Sequence, residues 1–347
     1  MLNNIKSNEI GSNKNLNNSF LSATHNELDY SCNIYQGTFF ADSFNYFPIT
    51  TENQTFTELY TRQTDNSFAH YFTDNFFDNF NNKKNEFKTF KDTYVLGSNP
   101  GDNYYSNLID FLPRIFFINE EKANIVVHRN LSNKFRNFIK KISSYKNLEV
   151  SFSFVDDNFY KFENSKIPQF FNLRESIKIL KFFLEKIDLN ISDSSEEDNS
   201  KIYLRREDSF YRKPINEADI IKKLRDKNFK IINPHQYEIF DQIKLFSKAD
   251  TIVAPHGSSL ANIIFCKEKA KIYELRPIFN KDYEKNLARR YKDISDIVGL
   301  EHSIIEVDSV NVEKHSPVAM KYINKQILNE STYYKNIIVK LGALDIF

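Results

Sequence analysis

The sequence predicts an α/β protein of two globular units, and three observations carry that expectation. At 347 residues the chain exceeds what one small core usually organises, so two units are the default. From about residue 200 onward, strand-like and helix-like stretches alternate, the pattern of a parallel sheet covered on both faces. Just before that alternation, residues 192–200 are acidic and Ser-rich with no apolar side chain to bury, which marks an exposed linker and places the domain boundary there.

Taken in order, residues 1 to about 20 are rich in Asn and Ser and poor in large apolar side chains, so a flexible tail is expected. Between residue 30 and about residue 94, short aromatic and β-branched runs such as Gly37-Thr38-Phe39-Phe40 alternate with Asn- and Asp-rich turns, which predicts hairpins or irregular structure rather than helices. Residues 1–90 are therefore set apart as an N-terminal extension, partly β. Residues 123–127 read as a buried strand, and 174–187 as a helix with Ile177, Leu180, Phe183, Leu184 and Ile187 on one face; both belong to a first domain over 91–190. The second domain, 200–325, contains predicted strands at 201–204, 229–232, 251–254 and 271–275, with helices at 216–226, 237–248 and from Ser258 between them. The first of these helices carries a start signal, Asn216 as N-cap with Asp219 three residues on and Ile215 placed to pack on Ile220. Residues 326–347 form a C-terminal tail.

Composition narrows the function. Hydrophobic residues at 41% and aromatics at 15% supply ample core, and the 33 Phe and 19 Tyr without a Trp carry no functional reading of their own. With 47 basic against 46 acidic residues the net charge is +1, which argues against a generally basic nucleic-acid binder and points to a small molecule or a glycan as partner. Cys32 and Cys266 are too few and too far apart in sequence for a disulfide framework or a zinc site. No signal-peptide-like run opens the sequence and no stretch reaches the roughly 18 to 20 apolar residues of a membrane span, so a cytoplasmic protein is expected.

In an open α/β sheet ligands sit beyond the carboxyl ends of the strands, so the residues after Leu204, Ile232, Ala254 and Leu275 are the first candidates. After Ala254 come Pro255-His256-Gly257-Ser258-Ser259, and then Leu260, Ile263 and Ile264 begin a helical stripe. Gly257 permits a tight turn and close backbone approach, and the free N–H groups of the helix start suit a phosphate, to which His256 and Ser258 add donors. An N-cap serine and a plain turn histidine fit the same pattern. Arg205, Arg206 and Arg212 follow Leu204; planar guanidinium groups suit a diphosphate, and solvated or salt-bridged arginines are the common alternative. Glu274 lies where an acidic residue accepts ribose hydroxyls, or where a carboxylate merely caps. Gln242 points away from the apolar face of Ile239, Phe240, Ile243 and Phe246, toward solvent. In the first domain, helical spacing from Asn103 puts Asn103, Ser106 and Asp110 on one face and Leu108, Leu112 and Ile115 on another; Asp110 is a candidate general base, or half of a surface ion pair with Arg114. Pro113 bends or ends that helix.

Together these segments resemble glycosyltransferase family 61 over roughly residues 95–277. The first motif stands as Asn103-Tyr104-Tyr105-Ser106-Asn107, Asp110 and Leu112-Pro113-Arg114; the second as Tyr203-Leu204-Arg205-Arg206, Arg212 and Asn216-Glu217; the third as Gln242, residues 249–262 with Phe265, and Ile272-Tyr273-Glu274. Ser106 stands where the family usually has a histidine, and Asn107 where it has an aromatic residue. The resemblance implies two facing Rossmann-like domains of the GT-B type and an inverting, metal-independent transfer from a nucleotide sugar to a glycan, possession of no other cofactor, and work on surface polysaccharide. No Asp-x-Asp metal motif stands out, since Asp156-Asp157-Asn158 reads as a turn. On that reading Asp110 is the base, Arg205, Arg212, His256, Gly257, Ser258, Asn262 and Glu274 hold the donor, and Asn103, Ser106, Asn216, Glu217 and Gln242 support the acceptor side or the site. A lipid-linked or growing glycan at a membrane's inner face is the acceptor the family role implies. A pyruvyl transferase or epimerase on the same architecture, and a non-catalytic nucleotide-sugar-binding protein, remain as alternatives.

Overall fold

The computed structural model describes residues 19–25, 28, 30–43, 46–53, 74–187, 200–207, 209–279 and 281–347. All of the expected N-terminal tail except its last two residues, and all of the expected linker except Ser200, lie outside the described residues. The chain forms two compact units, residues 1–183 and 184–347.

The first unit holds an 8-stranded mixed sheet. Its strands are β1 (Ser19–His25), β2 (Tyr30–Asp42), β3 (Ile49–Thr50), β4 (Thr89–Lys91), β5 (Tyr94–Val95), β6 (Lys122–His128), β7 (Glu149–Val155) and β8 (Phe159–Pro168). The path runs β1-β2-β8-β5-β6-β7, with β3 on β2 and β4 on β8. β5, β6 and β7 are parallel, whereas β2 is antiparallel to β1, β3 and β8. Strands of the segment set apart as an extension thus form one side of this sheet. Aromatic side chains fill the core around them: Phe39 stacks on Phe162 at 5.3 Å, Tyr35 meets Phe39 edge-on, and Phe111 meets Tyr46 and Phe170. Helix α1 covers Asp74–Lys83, a stretch expected to be hairpin or irregular rather than helical; its Phe80 packs against Phe40 and Phe159. Helix α2 (Asn133–Ser144) buries Phe135, Phe138, Ile139 and Ile142 at the three- and four-residue spacing of one face, and Ser132 caps it by accepting from the Phe135 N–H. Helix α3 (Leu173–Lys186) buries Ile177, Leu180 and Leu184 as the spacing predicts, and Phe183 stacks flat on Phe116 at 4.1 Å.

The second unit is built on a 6-stranded sheet of β9 (Ser200–Leu204), β10 (Phe229–Ile232), β11 (Ala249–Pro255), β12 (Lys271–Pro277), β13 (Glu301–Val310) and β14 (Asn336–Ile338), in the order β10-β9-β11-β12-β13-β14. The first five are parallel and β14 is antiparallel to β13. Helices α4 (Glu217–Arg225), α5 (Ile239–Lys248) and α6 (Asp282–Val298) join the parallel strands; α6 ends at Gly299, whose φ of 82° is the left-handed conformation that suits a helix C-cap. The chain steps from β9 to one side for β10, then returns to the other side of β9 for β11. That reversal makes the carboxyl ends of β9 and β11 a topological switch point, where doubly wound sheets open a crevice for ligands.

Two local expectations are corrected. Asn216 precedes α4 but its side chain makes no cap; it donates to the Val339 carbonyl at 2.8 Å and accepts from the Val339 N–H at 3.2 Å. Ile215, expected to pack on buried Ile220, is 55% exposed. After the short helix α7 (Pro317–Tyr322), the residues expected as a C-terminal tail are instead tied into the second unit, through short helix α8 (Lys325–Glu330), β14 and the Asn216–Val339 pair.

Candidate functional site

At the end of β9, Glu217 organises three neighbours. Its buried carboxylate accepts from the Tyr203 hydroxyl, the Arg206 N–H and the Arg205 guanidinium, each at 3.3 Å. Arg205 also pairs with Glu207 at 3.0 Å, so both its neighbours are carboxylates and its charge is spent locally. Arg206, one residue on, is placed differently. Its Nε donates to the Tyr211 carbonyl at 2.8 Å, and its guanidinium lies against the turn after β11. A Cβ at Gly257 would fall 1.6 Å from Arg206 Nη1, so the glycine is there for close approach of the arginine; its φ of 178° is ordinary extended backbone.

Arg212 reaches the same turn from the other side. Held in the left-handed region at φ 55°, it donates from its backbone N–H to Lys335, from Nε to the His256 carbonyl at 3.0 Å and from Nη1 to the Tyr333 carbonyl, while its guanidinium lies 3.9 Å over the Tyr333 ring. Among the described residues neither Arg206 nor Arg212 has a carboxylate in ion-pair contact. Burial, and then the charge of Arg212, lower the Arg206 pKa to about 9. Two guanidinium groups held together without a carboxylate in direct contact make a candidate anion site. Beside them, Ser258–Phe265 forms a 3₁₀-helix rather than the expected α-helix, and the leading N–H groups of such a helix lack intrahelical partners.

His256 itself turns inward. It is buried with its Nδ1 bonded to Glu274 Oε1; Glu274 Oε2 bonds His302 Nε2 at 3.0 Å, and His302 Nδ1 meets Ser295 Oγ at 2.8 Å. Burial lowers the His256 pKa to about 4, and although burial raises that of Glu274, its two histidine neighbours hold it down at about 2. The ring therefore stays neutral beside an ionised carboxylate, its Nε2 without a partner among the described residues. Both Glu274 oxygens are engaged by histidines, an arrangement that fixes the turn between β11 and the 3₁₀-helix rather than facing a ribose. Asn262 and Gln242 are similarly internal. Asn262 Nδ2 donates to Gln242 Oε1 at 3.0 Å, and Gln242 Nε2 to the Pro234 and Tyr237 carbonyls at 2.9 and 3.2 Å. Gln242, expected to face solvent, is buried because those two loop carbonyls need a donor.

In the first unit, the expected helix over 103–115 is a π-helical turn, Ser106–Phe111, followed by a 3₁₀-helix, Leu112–Phe117, which accommodates Pro113 near its start. The change of pitch breaks the expected face: Asn103 is exposed and caps the turn by accepting from the Ser106 N–H, Ser106 is buried, and Asp110 is half-buried. Arg114 is not a surface ion-pair partner. It is fully buried, donating to the carbonyls of Val95 at 3.1 Å, of Leu96 and of Pro168, with its guanidinium 3.7 Å from the Phe170 ring. Asp102, overlooked by the sequence reading, sits at a left-handed φ of 49°, accepts from Asn107, and has its pKa raised by burial.

A model of the family described as Glycosyltransferase 61 matches residues 55–273, more than half of the chain. The chain belongs to glycosyltransferase family 61. A search among curated proteins found no match. In this family 61 protein the matched span contains Asp110, Arg205, Arg206, Arg212 and the 255–262 turn, and stops one residue before Glu274. His302 and Tyr333 lie beyond it. Glycosyl transfer, with a sugar donor and a glycan acceptor in general terms, is the activity that membership carries. Among the described residues no helix is long and apolar enough to cross a membrane, and no three His, Cys, Asp or Glu side chains gather as metal ligands.

Proposed function

We propose that this protein moves a sugar from a nucleotide-sugar donor to a glycan hydroxyl with inversion, without a metal or other cofactor, in surface polysaccharide synthesis. The observation that carries the reading is the pair Arg206 and Arg212, both lacking a carboxylate, set on the 256–258 turn at the switch point of a doubly wound sheet. The acceptor oxygen attacks the anomeric carbon as the bond to the nucleoside diphosphate breaks. The two guanidinium groups and the Ser258 and Ser259 N–H groups then stabilise the charge that develops on the departing phosphate. Asp110 takes the proton of the acceptor hydroxyl, a role that contributes about a hundredfold to ten-thousandfold in rate.

Within this scheme Glu217 holds Arg205 and the Arg206 backbone in place, the Glu274 pair of histidines fixes the turn, and Asn262 with Gln242 fixes the helix that follows. The acceptor is a glycan or lipid-linked glycan on the cytoplasmic side of a membrane, a placement that rests on the family role. Pyruvyl transfer and epimerisation gain no support from the family match.

A thermal-shift screen against nucleoside diphosphates and nucleotide sugars tests the donor site, because a ligand that binds only the folded state raises the unfolding temperature. Asp110→Asn should then lower transfer at least about a hundredfold while the shift persists. No shift with any nucleotide, or a shift lost in Asp110→Asn, would sink the reading. A shift without transfer to any acceptor would favour the non-catalytic alternative, which Ser106 motivates.

A further inference from the structure

Tyr333 lies 60 residues past the end of the family-matched span, in the 3₁₀-helix Thr332–Tyr334, and yet it touches both Arg212 and His256. Its ring carries the Arg212 guanidinium at 3.9 Å and meets the His256 ring edge-on at 5.6 Å; its carbonyl accepts from Arg212 Nη1. The segment is anchored from outside the site: buried Glu284, in the first turn of α6, accepts from the Ser331 and Thr332 hydroxyls and from the Tyr333 N–H. The phenol oxygen has no hydrogen-bond partner among the described residues. Burial raises its pKa, but the charges of Arg212, Arg290 and Arg206 outweigh burial and bring it below the ordinary tyrosine value. A phenol on the ring that carries Arg212, in the field of Arg290 and Arg206 as well, is a hydrogen-bond donor in a positively charged setting.

We propose that Tyr333 is a ligand residue for the donor's diphosphate: its ring sets the position of Arg212, and its phenol donates a hydrogen bond to a phosphate oxygen held by Arg206 and Arg212. The proposal rests on the reading of the arginine pair as the diphosphate site. It adds a neutral donor to that site and a requirement for chain beyond the matched region. A hydroxyl that donates to a charged oxygen adds a further short, directional bond to those of the guanidinium groups.

Tyr333→Phe keeps the ring, and with it the contacts to Arg212 and His256, and removes only the hydroxyl; Tyr333→Ala removes both. Calorimetry with inorganic pyrophosphate, the part common to all nucleoside diphosphates, should show binding to the wild-type protein. Tyr333→Phe should bind about tenfold or more weaker at an unchanged unfolding temperature, and Tyr333→Ala weaker still. Equal pyrophosphate affinity in Tyr333→Phe overturns the assignment of Tyr333 and leaves the arginine site standing. Failure of the wild-type protein to bind pyrophosphate removes both. Pyrophosphate binding that depends on Tyr333, in a protein that transfers no sugar, keeps the ligand role and removes the enzymatic reading.

Discussion

Gly257→Ala separates the proposed diphosphate site from the fold. The added Cβ falls 1.6 Å from Arg206 Nη1 and 2.7 Å from its Cζ. Carbon contacts relax only near about 3.5 Å, so the guanidinium must retreat by roughly 2 Å. That retreat is inexpensive for stability, because the obstructed group is the end of a flexible side chain and the backbone at φ 178° accepts any residue; replacing glycine at a compatible position is worth about 0.4–1 kcal/mol in favour of folding. It is costly for a bound phosphate, since 2 Å is beyond hydrogen-bond tolerance and a bond to a charged group is worth about 1.5–3 kcal/mol, or roughly 10- to 150-fold in affinity. The expected result is an unfolding temperature equal to or slightly above that of the wild type, with calorimetric affinity for the preferred nucleoside diphosphate reduced by about tenfold or more. Arg206→Ala should reproduce the loss, and the double variant should add little to either single one, because both act through one guanidinium. Undiminished affinity in Gly257→Ala, or additive losses in the double variant, would refute the placement of Arg206 at the ligand.

Two further outcomes are expected. Arg114→Ala leaves the carbonyls of Val95, Leu96 and Pro168 without their buried donor, which should cost about 3 kcal/mol or more and lower the unfolding temperature by roughly 5–10 °C; a near-normal unfolding temperature would show that water replaces the guanidinium. Stability should fall on acidification between about pH 6.5 and pH 4, because His256 takes up its proton in the unfolded chain near its ordinary pKa of 6.5 but only near 4 when folded, so the unfolded state binds more protons throughout that window. The depressed Glu274 carboxyl adds a loss of the same sign below the ordinary carboxylate range, complete only near pH 2. Urea midpoints for wild type and His256→Gln at pH 7.5 and pH 5 measure the histidine part, and equal pH dependence in the two proteins would remove His256 as its source.

What the sequence made legible, and what it did not, follows from the range of the interactions involved. Each predicted strand of the second unit and its first two predicted helices appear in the structure, while the helix from Ser258 takes the tighter 3₁₀ form; periodicity is a local property, and Ile202, Ile252 and Ile272 are buried in neighbouring strands where the apolar runs place them. The ends of β9 and β11 were legible too, since turn residues mark where strands stop. Which arginine serves the turn was not. Arg205 and Arg206 are adjacent, and only the fold reveals that Glu217 and Glu207 claim the first while Gly257 leaves room for the second. The Glu274 carboxylate looked like a ribose ligand because its partner His302 lies 28 residues further on, and Arg212 is fixed by carbonyls 44 and 121 residues away. The π-helical turn at Ser106–Phe111 lay beyond any reading that assumed 3.6 residues per turn. Glycine is the exception among these long-range features, because an absence of side chain is itself visible in sequence: at Gly257 it recorded a close approach, though not that the approaching group was Arg206. Buried charge explains the rest. Arg114, Glu217, Glu274 and Arg212 are all withdrawn from solvent, and a charge withdrawn from solvent must be met by partners that the whole fold delivers. Arg114 is met by carbonyl dipoles, Glu217 by Arg205 and Glu274 by histidines. Arg206 and Arg212 stand together with carbonyls and a tyrosine but no carboxylate in direct contact, and it is this remaining imbalance, rather than any motif, on which the proposed diphosphate site rests.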